Sequence, residues 1–219
     1  MKTETLITRN KSRLKTALKD ITDKTLRGCC LDILNYEEFF YWVGSLGKHH
    51  GYEGGLFEHT LEVLDLATQS EKSWSFAIRP NKDILIASAL WHDVAKIWDY
   101  EYTERPPFGY VPPDNHYVPK VEISAGTKDS RFVAGYWTRS TYHKKVHHIS
   151  GSLGEFTAAA LKAGVSRETI NKVQHCIISH HGFNPDFGSP KIPVSLEAII
   201  LHQADMLSAT YGATAQKRP

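Results

Sequence analysis

The sequence is poor in cysteine, and the three cysteines it has form no framework. Cys29 and Cys30 are neighbours, a spacing that does not favour a bridge between them, and Cys176 lies far along the chain. No CxxC pair occurs, which argues against the usual zinc-ribbon and thioredoxin-like arrangements. So few cysteines in 219 residues are typical of a reducing compartment, and we therefore expect a cytoplasmic protein.

Long apolar runs are absent as well. No stretch approaches the ~20 apolar residues that cross a bilayer. Residues 1–20 carry charges throughout and lack the apolar core of a secretory signal. We therefore expect neither a cleaved leader nor a membrane partner.

The chain also lacks an excess of charge of either sign. Its 26 basic and 24 acidic residues leave a net charge of +2, which gives no electrostatic case for binding long nucleic acid. The GxSxG, Walker and reactive Cys–His signatures are missing, which argues against serine hydrolases, P-loop enzymes and thiol enzymes. A chain of this length can build its core without disulfides, and one domain is the natural interpretation.

What the sequence does have is histidine beside aspartate in apolar surroundings. His92 and Asp93 lie within LIASALWHDVAKIW, residues 85–98. A carboxylate in such a stretch is costly unless a cation accompanies it, so Asp93 belongs either to a buried ion pair or to a metal site. Imidazole nitrogen and carboxylate oxygen together suit Mn, Fe, Zn, Co or Ni.

Further histidines and an aspartate lie in other apolar helical stretches. His59 shares its helical spacing with apolar neighbours, so we expect it on an inward face. Asp205 lies in the apolar stretch 195–209, where it is either a metal ligand or the partner of a nearby basic group. His180 and His181 precede Gly182, a typical helix stop, and could instead be cations stabilised by the helix dipole.

These motifs together resemble the HD superfamily of metal-dependent phosphohydrolases, and within it the HD domain of bacterial 3′-to-5′ exoribonucleases. The resemblance is carried by KHHGYEGGLFEHTLEV (48–63), ALWHDVAKI (89–97), HHISGS (147–152), HCIISHHG (175–182) and FGSPKIPVSLEAIILHQADMLSA (187–209). Some of these segments are also similar to HD domains attached to relaxases of conjugative elements. The resemblance covers residues 40–212 and implies an all-α HD-domain helical bundle.

Matched residue by residue, the resemblance implies two groups of metal ligands. The basic site would be His59, His92, Asp93 and Asp205, and the second would be His148, His180 and His181, with Asp93 bridging both ions. Two divalent transition-metal ions per chain are therefore expected, Mn or Fe first, with Mg, Co, Ni and Zn also compatible.

Lys96 matches the lysine of the family's HDxxK motif. The resemblance implies that it contacts a substrate phosphate and that it acts with Asp93 in catalysis. The alternative for Lys96 is a solvated helix lysine. Its position three residues after Asp93 places both on one helix face, which favours the functional interpretation.

Residues 99–146 change in character and are predicted to form a lid-like insertion. Prolines and glycines there break helices, and short strands are expected at 121–126 and 131–137. Arg131, Arg139 and Lys144 are candidate substrate contacts among interleaved aromatic residues, a composition that suits stacking on bases and holding phosphates. The alternative is an ordinary solvated loop.

The remaining segments complete the predicted organisation. Residues 1–48 are interpreted as an N-terminal helical extension packed on the core, 49–212 as the HD domain and 213–219 as a flexible tail. Helices are expected as two in 8–46, then at 52–68, 83–98, 151–162, 167–180 and 194–211. The exoribonuclease relatives have an oligonucleotide-binding barrel ahead of this domain, whereas about forty residues with a helical pattern precede it here. The resemblance therefore does not by itself imply processive RNA binding, and a nucleotide or short oligonucleotide is the expected substrate.

The leading functional hypothesis is therefore hydrolysis of a phosphoester in a nucleotide or short oligonucleotide by a metal-activated hydroxide. Two alternatives share the ligand set. One is a di-iron oxygenase of the same fold, and the other is a non-catalytic domain of a mobile element that binds a nucleotide or a partner. The sequence favours no particular oligomeric state.

Overall fold

The computed structural model describes residues 2–46, 49–73, 78–103, 136–183 and 189–215. The described chain is a helical bundle with a two-stranded hairpin, which confirms the predicted all-α fold with a small β element. The helices are α1 (Lys2–Ala17), α2 (Lys24–Leu31), α3 (Gly55–Ser73), α4 (Lys82–Trp91), α5 (Lys96–Asp99), α6 (Thr141–Lys145), α7 (His147–Lys162), α8 (Arg167–Ser179) and α9 (Leu196–Ala215).

The N-terminal region joins the main core through α1 and α2, whose apolar residues are buried with those of the later helices. Asp23 caps α2, because its carboxylate accepts hydrogen bonds from the backbone N–H groups of Thr25 at 2.8 Å and Leu26 at 3.1 Å. The four residues that follow α2 form a 3-10 turn, Asp32–Asn35.

The prediction of a second continuous helix through the aromatic residues before position 46 is wrong. A second 3-10 turn, Glu37–Phe40, follows the first. Between the two turns, the Tyr36 hydroxyl donates a hydrogen bond to Glu155 of α7 at 2.5 Å. The buried Phe39 and Phe40 both pack against Phe57 of α3. Tertiary packing therefore outweighs helix propensity in this segment.

The centre of the bundle is α4, in which every residue from Ile84 to Trp91 is buried. Helices α3, α8 and α9 pack around it, which explains why its sequence is apolar on all sides. Its first turn is capped by Asn81, whose side-chain oxygen accepts a hydrogen bond from the Ile84 N–H at 3.2 Å.

The predicted helix 83–98 is broken by a turn at residues 92–95, between α4 and α5. The backbone N–H of Ala95 donates to the Ser152 hydroxyl of α7 at 3.0 Å instead of to a carbonyl one helical turn back. Gly151 lets α7 approach this turn, since a Cβ atom there would lie 2.7 Å from the Ala95 Cβ. The motif His92-Asp93 is therefore at the end of a helix and not in its middle.

The hairpin pairs β1 (Tyr100–Thr103) with β2 (Tyr136–Arg139) in antiparallel register, with Tyr100 opposite Arg139. Residues 136–137 of the strand predicted at 131–137 lie in β2, and its residues 131–135 lie outside the described residues. The strand predicted at 121–126, and most of the predicted lid, lie outside the described residues. The hairpin base is tied to α5 because the Ser140 N–H donates to the Asp99 carbonyl at 3.0 Å.

The last helix, α9, continues to Ala215, so residues 213–215 are helical where a flexible tail was predicted. Residues 216–219 lie outside the described residues. Within the described ranges, no helix is both long and apolar enough to cross a membrane.

Candidate metal centre

Asp93 lies at the centre of the candidate site, where four imidazole rings face its carboxylate. It is 1% exposed, and its Oδ2 atom lies 3.4 Å from His59 Nε2 and 3.3 Å from His92 Nε2. Its Oδ1 atom lies 3.4 Å from His148 Nε2 and 3.6 Å from His180 Nε2. Each carboxylate oxygen therefore faces a different pair of imidazoles, as a bridging carboxylate would.

The first ligand group consists of His59, His92, Asp93 and Asp205, whose ligand atoms all lie within 4.8 Å of one another. Asp205 Oδ1 is 3.1 Å from His59 Nε2 and 3.8 Å from His92 Nε2. All four residues are buried. They are brought together by α3, the end of α4 and α9, which are the helices that build the core.

The second ligand group consists of His148, His180 and His181, whose ring nitrogens also lie within 4.8 Å of one another. His148 lies in the first turn of α7, and the other two follow the C-terminus of α8. The neighbouring His147 is half-buried and has a positive φ of 66°. The structure therefore brings His148 and not His147 to Asp93.

Two of the four imidazoles are oriented by backbone carbonyls. His92 Nδ1 lies 2.8 Å from the Ala89 carbonyl, and His180 Nδ1 lies 2.6 Å from the Ile177 carbonyl. A carbonyl can only accept, so in each ring Nδ1 carries the proton and donates. In each ring Nε2 is then the nitrogen that faces Asp93.

The other two imidazoles are oriented by side chains. His148 Nδ1 donates to a carboxylate oxygen of Asp99 at 2.8 Å. His59 Nδ1 lies 2.9 Å from the Ser208 hydroxyl, which itself donates to Glu62 at 2.8 Å. Because the Ser208 proton is used on Glu62, His59 Nδ1 is the donor to the Ser208 oxygen. All four rings therefore present Nε2 to the centre, the arrangement in which outer hydrogen bonds orient metal-ligating histidines.

The inward atoms are left without hydrogen-bond partners of good geometry among the described residues. The buried atoms in this state include Nε2 of His59, His92, His148 and His180 and both carboxylate oxygens of Asp93. Burial lowers the pKa of His148 to about 4, so this ring is neutral near pH 7. Where such a nitrogen is unprotonated, its lone pair repels the carboxylate that it faces unless a cation lies between them. The residues present therefore fit a divalent metal centre.

Lys96 lies at the same carboxylate, with Nζ 2.6 Å from Asp93 Oδ2. It is 7% exposed, so the alternative of a solvated helix lysine is excluded. Burial alone disfavours the ammonium group, but the adjacent Asp93 carboxylate outweighs it and raises the pKa of Lys96. The charged form of Lys96 is thus held beside the site.

Asp99 is a residue of the site that the sequence interpretation missed. It is fully buried, and one of its oxygens also lies 3.0 Å from His143 Nδ1. Burial raises the pKa of Asp99, but the hydrogen bonds from His148 and His143 outweigh that effect and lower it. A signal was present, because an aspartate six positions after Asp93 is unusual in so apolar a stretch, but its partners are distant in sequence.

The remaining candidates lie at varied distances from the centre. Arg139 on β2 and Lys144 on α6 are exposed, and Arg131 lies outside the described residues. His202 contacts the site indirectly, because its Nδ1 donates to the His180 carbonyl at 2.8 Å. His175 does not reach it, since its Nε2 accepts from the Val194 N–H at 3.1 Å.

Comparison with known proteins connects this geometry to a family. A family model described as HD domain matches residues 56–210. Three curated proteins named 3′-5′ exoribonuclease YhaM are similar to the chain. The one from Geobacillus sp. (strain WCH70) is 30% identical over 79% of this chain and 43% of its own length. Those from Bacillus licheniformis and Listeria innocua are 28% and 25% identical, over 79% and 80% of this chain and 44% of their own lengths.

The chain thus spans less than half the length of these relatives. No solved structure matches it. The family match extends from the start of α3 into α9 and so contains both ligand groups. With the match covering most of the chain and the helical bundle in agreement, this protein belongs to the HD domain family.

Proposed function

We propose that this protein is a metal-dependent phosphohydrolase that cleaves phosphoester bonds of nucleotides or short oligonucleotides. The observation that carries the proposal is the convergence of four histidine Nε2 atoms on the two oxygens of Asp93. Family membership and the three exoribonuclease relatives support the same reaction class.

The two ligand groups would hold two divalent ions with Asp93 between them. His59, His92 and Asp205 would complete one position, and His148 and His180 the other, with His181 alongside. The donor set of imidazole and carboxylate suits Mn or Fe best, while Mg, Co, Ni and Zn remain compatible. When bound, such ions activate water near neutral pH and polarise phosphoryl oxygens.

Lys96 would supply the positive charge that the protein itself brings to the substrate. Its ammonium group is buried and already in contact with Asp93. A phosphate oxygen placed beside the ions would find this ammonium within reach, and a buried charge acts more strongly there than at the surface. Asp93 would meanwhile hold Lys96 in place and keep it protonated.

The substrate class follows from chemistry and from the relatives together. The matched relatives are named as exoribonucleases, so a phosphodiester in a short RNA is the first substrate to test. Arg139, at the end of β2, and Lys144, on α6, are both exposed and could bind further phosphates. Arg131 is proposed for the same role from the sequence alone.

The test is elemental analysis of the purified protein together with a hydrolysis screen on the same sample. The screen would contain bis-p-nitrophenyl phosphate, nucleoside mono- and triphosphates and a short RNA labelled at its 5′ end, each with added Mn²⁺. We expect two metal ions per chain and turnover of at least one substrate. With RNA, shortening from the unlabelled end would indicate a 3′-to-5′ direction.

Two outcomes would contradict the proposal. Absence of both metal and turnover after reconstitution would favour a non-catalytic binding domain. Bound iron without hydrolysis, but with consumption of oxygen in the presence of a substrate, would favour the oxygenase.

Asp65→Asn is a matched control for variants of Asp93, because Asp65 is an exposed carboxylate on α3.

A further inference from the structure

His50 is held in an unusual conformation beside the first ligand group. It has a positive φ of 50°, a region that residues other than glycine rarely adopt without a structural or functional cause. Two glycines make room for it. A Cβ atom at Gly44 would lie 2.9 Å from the His50 Cβ, and one at Gly55 would lie 1.9 Å from the His50 carbonyl oxygen. Several features of the fold thus combine to place this one ring.

The hydrogen bonds of His50 have a defined direction. Its Nε2 lies 3.0 Å from a carboxylate oxygen of Glu62, which accepts, so Nε2 carries the proton of the neutral ring. Its Nδ1 is therefore an acceptor, and His49 Nδ1 lies 3.1 Å away from it. His49 then donates from Nδ1, and its other ring nitrogen, Nε2, is left with a lone pair.

His49 lies next to a residue of the first ligand group. The ring centres of His49 and His59 are 5.1 Å apart, and ligand nitrogens of His49, His50 and His59 lie within 4.8 Å of one another. A ring nitrogen with a lone pair, such as His49 Nε2, is the atom through which histidine binds a metal ion.

We propose that His49 is an additional ligand of the ion bound by the first ligand group, with His50 and Glu62 as positioning residues that fix its ring. This inference rests on the proposed function, because it requires an ion at that position. The same Glu62 oxygen accepts from Ser208, which orients His59. One carboxylate thus sets the rings of both histidines.

The position of His49 in the chain suggests how such a ligand would be used. The first ligand group is otherwise supplied by helices or a helix end, whereas His49 precedes α3 in an irregular segment and is only half-buried. A ligand on an irregular segment moves at lower cost than one in a packed helix. His49 is therefore the ligand that an incoming phosphate would displace first.

The experiment compares wild type, His49→Gln and Glu62→Gln in the full chain loaded with Co²⁺. Visible absorption reports the ligands of the ion, and calorimetric titration with Co²⁺ and Mn²⁺ reports affinity at each position. We expect His49→Gln to change the Co²⁺ spectrum and weaken the tighter site by about tenfold or more. Glu62→Gln should change both in the same direction but less, because glutamine can still accept one hydrogen bond.

Two matched variants control for the substitutions themselves. His175→Gln alters a histidine away from the site, and Glu58→Gln removes a surface carboxylate of α3 that pairs with Arg13 at 2.5 Å. Both should bind metal as wild type does. Thermal unfolding of each apo variant separates loss of fold from loss of a ligand.

The outcomes separate this inference from the proposed function. If wild type binds two ions and His49→Gln leaves both spectrum and affinities unchanged, the inference is overturned and the proposed function stands. If wild type binds no metal, the proposed function itself fails. If wild type binds three ions and His49→Gln binds two, His49 belongs to a separate ion and its assignment to the first ligand group is wrong.

Discussion

The two ligand groups are built in different ways, although they share Asp93. The first group lies on α3, the end of α4 and α9, whose packing against one another also forms the core. The second group lies at the start of α7 and after the end of α8. One of its rings, that of His148, is oriented by Asp99, which is adjacent to the hairpin. The first position is thus built mainly within packed helices, while the second is built at helix ends and includes the contact with Asp99.

The outer hydrogen bonds show the same contrast. His59 is oriented through a neutral hydroxyl, Ser208, whereas His148 is oriented directly by the buried Asp99 carboxylate. Charge-assisted hydrogen bonds are stronger than neutral ones. At the position whose ligands lie at helix ends, the structure therefore has the stronger outer contact. We expect the second ion to be the more easily lost and the more sensitive to changes around the hairpin.

Removing the shared carboxylate should abolish metal binding by both groups alike. Asp93→Ala is expected to abolish binding of both ions and all hydrolysis, because each of its oxygens faces one group. Elemental analysis and the phosphodiester assay measure this. Since Asp93→Ala leaves Lys96 buried without its counter-charge, Asp93→Asn provides a second variant of nearly the same shape. Full metal content and activity in both variants would contradict the site assignment.

Single-group variants should reveal the difference. Asp205→Ala removes a carboxylate from the first group, and His180→Ala removes an imidazole from the second. Each is expected to lose one ion and to retain the other, with turnover reduced severely in both. Calorimetric titration with Mn²⁺ gives the number of sites. Loss of both ions in both variants would show that the two positions fill only together.

Removing the charge of Lys96 should leave metal binding by both groups unchanged and yet slow the reaction. Lys96→Met keeps the apolar stem and removes the charge beside Asp93. Metal content should be retained, while kcat falls by roughly 10²–10³-fold, as it does when one group that stabilises transition-state charge is removed. Lys172→Met, on an exposed lysine of α8, is the matched control. Unchanged kcat with normal metal content would assign Lys96 a purely structural role.

Much of the fold could be predicted from apolar periodicity. The helix predictions that failed are those in which tertiary contacts determine the backbone conformation. The apolar run of α4 continues through Trp98, and nothing local reveals that Ser152 of α7 will take the Ala95 N–H. The aromatic segment before position 46 failed for the same reason, because Glu155 and Phe57 are remote partners. Periodicity reports local preference and not competition from distant groups.

The candidate site could be predicted because its ligands are recognisable residue types within a family pattern. Its supporting residues could not. Asp99 and Ser208 each gain a role only when a helix distant in the chain places a histidine beside them, and Glu62 is joined to His59 only when α9 brings Ser208 to it. The helices that bring these partners together are therefore what the structure adds to the sequence.

Asp99 offers a way to weaken the second group while sparing the first. Asp99→Asn keeps the size of the side chain but removes the charge that holds His148 and His143. The second ion should bind about 10–100-fold more weakly, the usual effect of losing an outer carboxylate. Mn²⁺ titration should show the first site unchanged, and Asp65→Asn should resemble wild type. Equal weakening of both sites would mean that the groups are not built independently.

A substitution at Ser208 should have the smallest effect on metal binding, and it tests most directly how the first group differs from the second. Ser208→Ala removes the neutral acceptor of His59 Nδ1 but leaves the ring packed between α3 and α9. Because a neutral hydrogen bond orients less strongly than a charged one, the first site should weaken by less than about tenfold, clearly less than the second site weakens in Asp99→Asn. Ser70→Ala on the exposed face of α3 is the control. A larger loss in Ser208→Ala than in Asp99→Asn would reverse the comparison, because it would show that the first position depends on the hydroxyl network running to Glu62 more than on the packing of its helices.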